Sequence, residues 1–223
     1  MNDIRILIAD DHQMMREGLK SLIANEQGLA VVGEADNGKT TVSMARKLGA
    51  HVVIMDVSMP DLNGIDATRR IVRDNPNIKV VALSGHPDQH FVTEMLKAGA
   101  SAYILKQTAY EELVRAIRQV MDGKTYLSPD VARGVVDSYV RAQPEPGRNP
   151  AFAMLTERER EILQMLAEGK TTKVMASDLS VSVKTVETHR RNIMQKLNLH
   201  SVAELTKYAI REGVTSLEVE AAH

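Results

Sequence analysis

Apolar and polar positions follow two different patterns along this chain. In the first half, short and nearly continuous apolar runs rich in β-branched residues recur between longer stretches with helical spacing. The runs are Ile6-Leu7-Ile8-Ala9, Val52-Val53-Ile54-Met55, Val80-Val81-Ala82-Leu83 and Ala102-Tyr103-Ile104-Leu105, with a weaker one over 30–33. Lacking a polar face, such runs read as parallel strands buried on both sides. Segments 14–23, 40–48, 67–73, 91–98 and 110–121 fill the gaps with apolar residues at helical spacing. Alternation at this interval predicts βαβ units and a five-stranded, doubly wound parallel sheet with helices on both faces. Thr108-Ala109-Tyr110-Glu111 has the form of a capping box opening the last of these helices, and Asp122-Gly123 ends it.

Ser128-Pro129 then starts another helix, reaching about position 140. Residues 141–150 hold three prolines and a glycine, an extended and semi-stiff linker. After it the pattern is wholly helical. Thr156-Glu157-Arg158-Glu159 is a capping box before an apolar stripe (Ile162, Leu163, Leu166) that stops at Gly169. A short helix over 172–179, a tight turn at Ser180-Val181 and a longer helix capped by Ser182 follow, running to 197. Ser201-Val202-Ala203-Glu204 opens one more, ending before Gly213. The expected organisation is a sheet domain at 1–122, a connecting helix and linker at 123–152, and a helical domain at 153–223.

Composition removes several function classes. The 223 residues suit two domains, and 43% apolar content is ordinary for a globular protein. No apolar stretch is long enough for a membrane span, and the N-terminus does not read as a signal peptide, because a strand begins almost at once. The absence of cysteine excludes thiolate metal sites and suits a cytoplasmic location. With a net charge of -1, any nucleic-acid binding must come from a local basic surface.

The apolar runs end in chemistry. Asp10 and Asp11 follow the first, Asp56 the third in chain order, Ser84 the fourth and Lys106 the fifth. Open α/β sheets bind ligands beyond the carboxyl ends of their strands, so these side chains should gather at one edge. An acid in such a place commonly just caps the next helix. Three carboxylates together, however, repel one another strongly unless a hard cation such as Mg2+ sits among them. Lys106 and Ser84 add a positive charge and a hydroxyl donor, which completes a set suited to phosphoryl transfer onto an aspartate.

The segments ADDH, MDVSMPDLNG, ALSG and SAYILK, in that order, resemble the receiver domain of bacterial two-component response regulators over about residues 3–122. The resemblance implies that Asp56 is the phosphoacceptor and that Asp10, Asp11 and the Ser58 carbonyl hold Mg2+ with it. It further implies that Ser84 grips the phosphoryl group, Lys106 pairs with it, and Tyr103 is the switch aromatic that follows the Ser84 hydroxyl. Gln107 stands where many receivers have proline.

A competing motif lies nearby. Gly33-Glu34-Ala35-Asp36-Asn37-Gly38-Lys39-Thr40 satisfies the P-loop pattern, which would make the protein a nucleotide-binding enzyme. Glu34 and Asp36 would bring negative charge toward a triphosphate, and this reading leaves Asp10, Asp11, Ser84 and Lys106 without a role. A turn at Asn37-Gly38 leading into a helix is the simpler account.

In the second half, the short helix, turn and long helix have the proportions of a helix-turn-helix. Val183, Val186, Ile193 and Leu197 are its expected buried face, and Lys184, Arg190, Arg191 and Lys196 outweigh Glu187 elsewhere on it. TERERE followed by LAEGKTTKVMASDLSVSVKTVETHRRNIMQKL resembles the LuxR-type DNA-binding domain, and with a receiver before it the NarL/FixJ group of regulators. By that resemblance Lys184, Thr185 and His189 meet phosphates, while Glu187, Thr188 and Arg191 meet base edges. Thr172 and Val174 depart from the family's usual Asn and Glu. The expected function is a transcriptional regulator whose DNA binding depends on phosphorylation, with no enzymatic activity beyond gaining and losing phosphate at Asp56. A histidine kinase, promoter half-sites of double-stranded DNA, a second copy of the chain and RNA polymerase are the expected partners. The rival of a different class is a receiver-gated interaction module that never touches DNA.

Overall fold

The computed structural model describes residues 3–85, 88–140 and 154–215. The chain divides into two compact units, Met1–Ala142 and Gln143–His223. The expected 141–150 linker lies outside the described residues.

In the first unit β1 (Ile4–Ala9), β2 (Leu29–Ala35), β3 (Val52–Asp56), β4 (Lys79–Ser84) and β5 (Ala102–Leu105) alternate with α1 (Gln13–Ala24), α2 (Gly38–Lys47), α3 (Gly64–Asp74), α4 (Gln89–Ala98) and α5 (Ala109–Met121). Every strand pairing is parallel. To the five expected strands the structure adds a sixth, β6 (Tyr126–Leu127), giving the order β2-β1-β3-β4-β5-β6. At two residues it is too short for any periodic signal in the sequence. Alternate residues of the central strands feed two cores. Leu7, Val53, Met55, Val80, Ala82 and Tyr103 pack toward α2, α3 and α4, while Ile6, Ile8, Ile54, Val81, Leu83 and Ile104 pack toward α1 and α5. The unbroken apolar runs exist because both faces of the sheet are covered.

Helix α6 (Pro129–Val140) belongs to this unit. Val131 is buried in the core shared with Tyr103, Leu105, Val92 and Met95, and Gln89 Nε2 donates to the Gly134 carbonyl at 2.8 Å. The Ser128 amide donates to the Tyr103 carbonyl at 3.0 Å, which continues the β5–β6 pairing. Thr108 makes no side-chain cap for α5. Its hydroxyl turns back to the Leu105 carbonyl, because a single 3₁₀ turn (Lys106–Thr108) intervenes between β5 and the helix.

The second unit is helical: α7 (Glu157–Ala167), α8 (Thr172–Asp178), α9 (Val183–Leu197) and α10 (Val202–Arg211). Both expected capping boxes form, Thr156 with Glu159 and Ser201 with Glu204, and Ser182 caps α9 by accepting from the Thr185 amide. Ser180 adopts a left-handed φ of 51°, which makes the tight turn between α8 and α9. Val186, Ile193 and Leu197 are buried as expected, but Val183 is 41% exposed. It occupies the first turn of α9, beyond the edge of the core. Leu205, Tyr208 and Ala209 fill the core from α10, whereas Val202 in its first turn is exposed.

Candidate functional site

Strand order places β1 beside β3, with the connections leaving in opposite directions, so a crevice opens between their carboxyl ends. Asp10 follows the last residue of β1, Asp56 ends β3, Ser84 ends β4 and Lys106 follows β5. The expected gathering takes place. One donor atom each from Asp10, Asp11, His12 and Asp56 lie within 4.8 Å of one another. Lys106 Nζ lies 2.8 Å from Asp10 Oδ2 and 2.8 Å from Asp56 Oδ2.

Asp10 and Asp56 are almost wholly buried, at 0% and 2% exposure, whereas Asp11 faces solvent. Neither Asp10 nor Asp11 caps α1. The cap position is His12, whose side chain makes no cap bond, and Asp10 Oδ1 accepts the His12 amide at 2.9 Å in a local turn. Arg16 Nη1 donates to the Asp10 carbonyl at 2.8 Å and fixes the start of α1 over the crevice.

Burial, and then the charge of Asp10, push the Asp56 carboxyl up to about 7, against the pull of Lys106 and the Ser58 amide. Lys106 loses solvation, yet Asp56 and Asp10 more than compensate and hold its ammonium above the ordinary range. The carboxylates therefore destabilise one another and retain one internal cation. Their oxygen donors match the chemistry of a hard divalent ion, so this acidic pocket is consistent with Mg2+.

Two backbone features hold the pocket open. Asn63 caps α3 by accepting from the Asp66 amide at 2.9 Å, and the Gly64 amide returns to the Val57 carbonyl at 2.9 Å. A Cβ on Gly64 would lie 2.0 Å from the Asp56 carbonyl oxygen, so only glycine permits the loop over 57–63 to close against β3. Ser58 is exposed in that loop, and its amide lies 3.3 Å from Asp56 Oδ1. On the far side of Asp56, Tyr103 is fully buried and its hydroxyl is hydrogen-bonded to Ser84. Burial, opposed in part by that hydrogen bond, pushes the Tyr103 phenol up to about 12.

The P-loop-like motif folds as a capping turn. Asn37 Oδ1 accepts the Thr40 amide at 2.8 Å, and a Cβ at Gly38 would sit 2.0 Å from the Leu62 carbonyl oxygen. The Leu62 carbonyl packs against this glycine, and the Asn37 side chain takes an amide at the start of α2 that a bound phosphate would otherwise use.

In the second unit Lys184, Glu187, Thr188 and Arg191 are exposed on one side of α9 at spacings of three and four. Thr185 and His189 are half-buried, Thr185 with its hydroxyl 2.8 Å from that of Ser182. Two of the basic residues on α9 are used inside the domain. Arg190 Nη1 reaches Thr172 Oγ1 at 3.3 Å, and Lys196 Nζ reaches Glu159 Oε2 at 2.6 Å. Sequence reasoning missed His12 at the acidic pocket and Lys196 at the α7 cap. Both depend on tertiary neighbours, and only the run Asp10-Asp11-His12 could have signalled the first.

The family described as "Response regulator receiver domain" matches residues 6–118, and that described as "Bacterial regulatory proteins, luxR family" matches residues 153–209. The response regulator GacA of Pseudomonas protegens is 39% identical over 211 residues, covering 95% of this chain and 97% of that protein. The response regulator UvrY of Escherichia coli K12 is 37% identical over 215 residues, with 96% and 97% covered. Among solved structures, the response regulator RcsB in a complex with DNA is 26% identical with a TM-score of 0.58, covering 93% of this chain and 98% of that one.

Proposed function

Because the chain belongs to the response regulators that join a receiver to a LuxR-type DNA-binding domain, and is a DNA-binding transcriptional regulator, we propose that Asp56 is its phosphoacceptor and that phosphate there controls DNA binding. The observation that carries this reading is the Lys106 ammonium 2.8 Å from both Asp10 and Asp56. A histidine kinase is the donor: an Asp56 oxygen forms the new bond to phosphorus as the bond from phosphorus to the kinase's imidazole nitrogen breaks. Lys106 and the Ser84 hydroxyl then face the phosphoryl oxygens. Asp10, Asp11, Asp56 and the Ser58 carbonyl would hold Mg2+, which supplies neutralising charge at those oxygens. Hydrolysis of the acyl phosphate at Asp56 is the only other chemistry assigned to the chain.

The signal leaves through Ser84. Charge on Asp56 draws the Ser84 hydroxyl inward, Tyr103 moves with it, and the surface of α4 and β5 responds. Helix α6 is seated on that surface through Val131 and Gln89, so it receives the change. The receiver is assigned to 1–122 with α6 as the start of the connection, and the DNA-binding domain to 153–223. There Lys184, Thr185 and His189 meet phosphates, and Glu187, Thr188 and Arg191 read base edges in the major groove. The working form is a homodimer on two promoter half-sites in the cytoplasm, where RNA polymerase is the further partner.

An Asp56→Ala variant labelled by a small phosphodonor as efficiently as wild type would refute the acceptor assignment. The coupling fails if beryllofluoride leaves DNA affinity unchanged in a selection from random sequence. If Lys184→Ala and Arg191→Ala bind DNA as tightly as wild type and with the same salt dependence, the assignment of these two side chains to DNA contacts fails.

A further inference from the structure

The side chain beside the acids that has no assigned role is His12. Its Nδ1 lies 2.8 Å from Asp11 Oδ1 and 3.3 Å from Asp10 Oδ1. In an octahedral site with metal–donor bonds of about 2.1 Å, neighbouring donors stand about 3 Å apart. Both separations therefore match edges of one coordination octahedron. The imidazole groups with Asp10, Asp11 and Asp56 within 4.8 Å, and its side chain is 53% exposed, so a hydrated cation can reach it.

We propose that His12 is a nitrogen donor to the cation site of the receiver and shifts its preference toward late first-row divalent ions such as Ni2+. Carboxylate, carbonyl and water suit Mg2+ and Mn2+, whereas imidazole favours ions later in the Irving–Williams order. Without His12 the site is all oxygen and discriminates weakly. With it, Mg2+ keeps water in that position while Ni2+ exchanges the water for nitrogen. The His12 side chain makes no cap bond to α1, so replacing it removes a donor without removing the helix cap. The inference rests on the reading that Asp10, Asp11 and Asp56 hold the cation.

The test uses full-length wild type, His12→Gln and Asp11→Asn, with Mn2+ as an EPR probe displaced by Mg2+ or by Ni2+. Because displacement from one site is read, Ni2+ held by other histidines does not count. The expected result is that His12→Gln weakens Ni2+ tenfold or more and Mg2+ less than threefold, while Asp11→Asn abolishes Mn2+ binding and leaves the free-ion spectrum. Equal losses for both ions would show that His12 acts only as a hydrogen-bond donor to Asp11, and no loss would show that it faces solvent; either result overturns the inference. Retention of bound Mn2+ by Asp11→Asn would overturn the acidic-site reading itself.

Discussion

Asp56 is buried beside a second carboxylate with one lysine between them, so its charge opposes folding and awaits a partner. Asp56→Asn should abolish labelling by a small phosphodonor and, by removing like-charge repulsion, raise the melting temperature of the metal-free protein by about 2–4 °C. An unchanged or lower melting temperature would contradict the electrostatic account. Gly64→Ala should do the opposite. A Cβ 2.0 Å from the Asp56 carbonyl must displace β3 or the loop, with a cost of about 1–3 kcal/mol measured by urea unfolding and slower labelling of Asp56. The acids, Ser84 and Lys106 were legible because each ends an apolar run, and a parallel sheet delivers such residues to one edge. His12 was not, since a histidine after two aspartates has no periodic signature and only the turn at Asp10 aims it at them.

At the scale of elements, the caps separate what local sequence decides from what tertiary contacts decide. The boxes at Thr156 and Ser201 formed as read, because each is complete within four residues. The one expected at Thr108 did not, because the chain tightens into a 3₁₀ turn as it leaves β5. β6 was invisible for a similar reason. Its two residues are held by pairing with β5 and by Tyr126, whose hydroxyl donates to buried Glu112 at 2.9 Å and accepts from Arg115 at 2.8 Å. Tyr126→Phe leaves that carboxylate short of a donor and should cost about 1–2 kcal/mol in urea unfolding.

The Thr156 box has a pH dependence of defined sign. Burial opposes ionisation of Glu159, but hydrogen bonds from Lys196 and Thr156 outweigh it and hold the carboxyl below its usual range. The folded state therefore binds its proton at lower pH than the unfolded state. The stabilisation is present above the ordinary carboxylate range and is lost as pH falls through the folded value. Glu159→Gln should lower the melting temperature of the helical unit at about pH 7, and the difference from wild type should shrink as pH falls through the folded value of Glu159.

At the scale of the whole molecule, the first unit is larger than its motifs. The receiver resemblance ends near residue 122, yet β6 and α6 supply a strand and the buried Val131 to the same sheet and core. A fragment ending at 122 would expose the edge of β5 and uncover Tyr103 and Leu105. It should self-associate in sedimentation and melt below a fragment ending at 140. The motifs could not reveal this, because what closes the sheet is an extension without chemistry of its own.

The bond between Lys196 and Glu159 has a consequence for recognition. Each backbone phosphate that a cation neutralises releases condensed counterions, so affinity falls with salt by a log–log slope of about -0.9 per contact. Lys196 lies on the helix assigned to the groove, but its ammonium is already committed inside the domain. Lys196→Met should therefore melt the domain earlier and leave that slope intact, whereas Lys184→Ala should flatten it by about one.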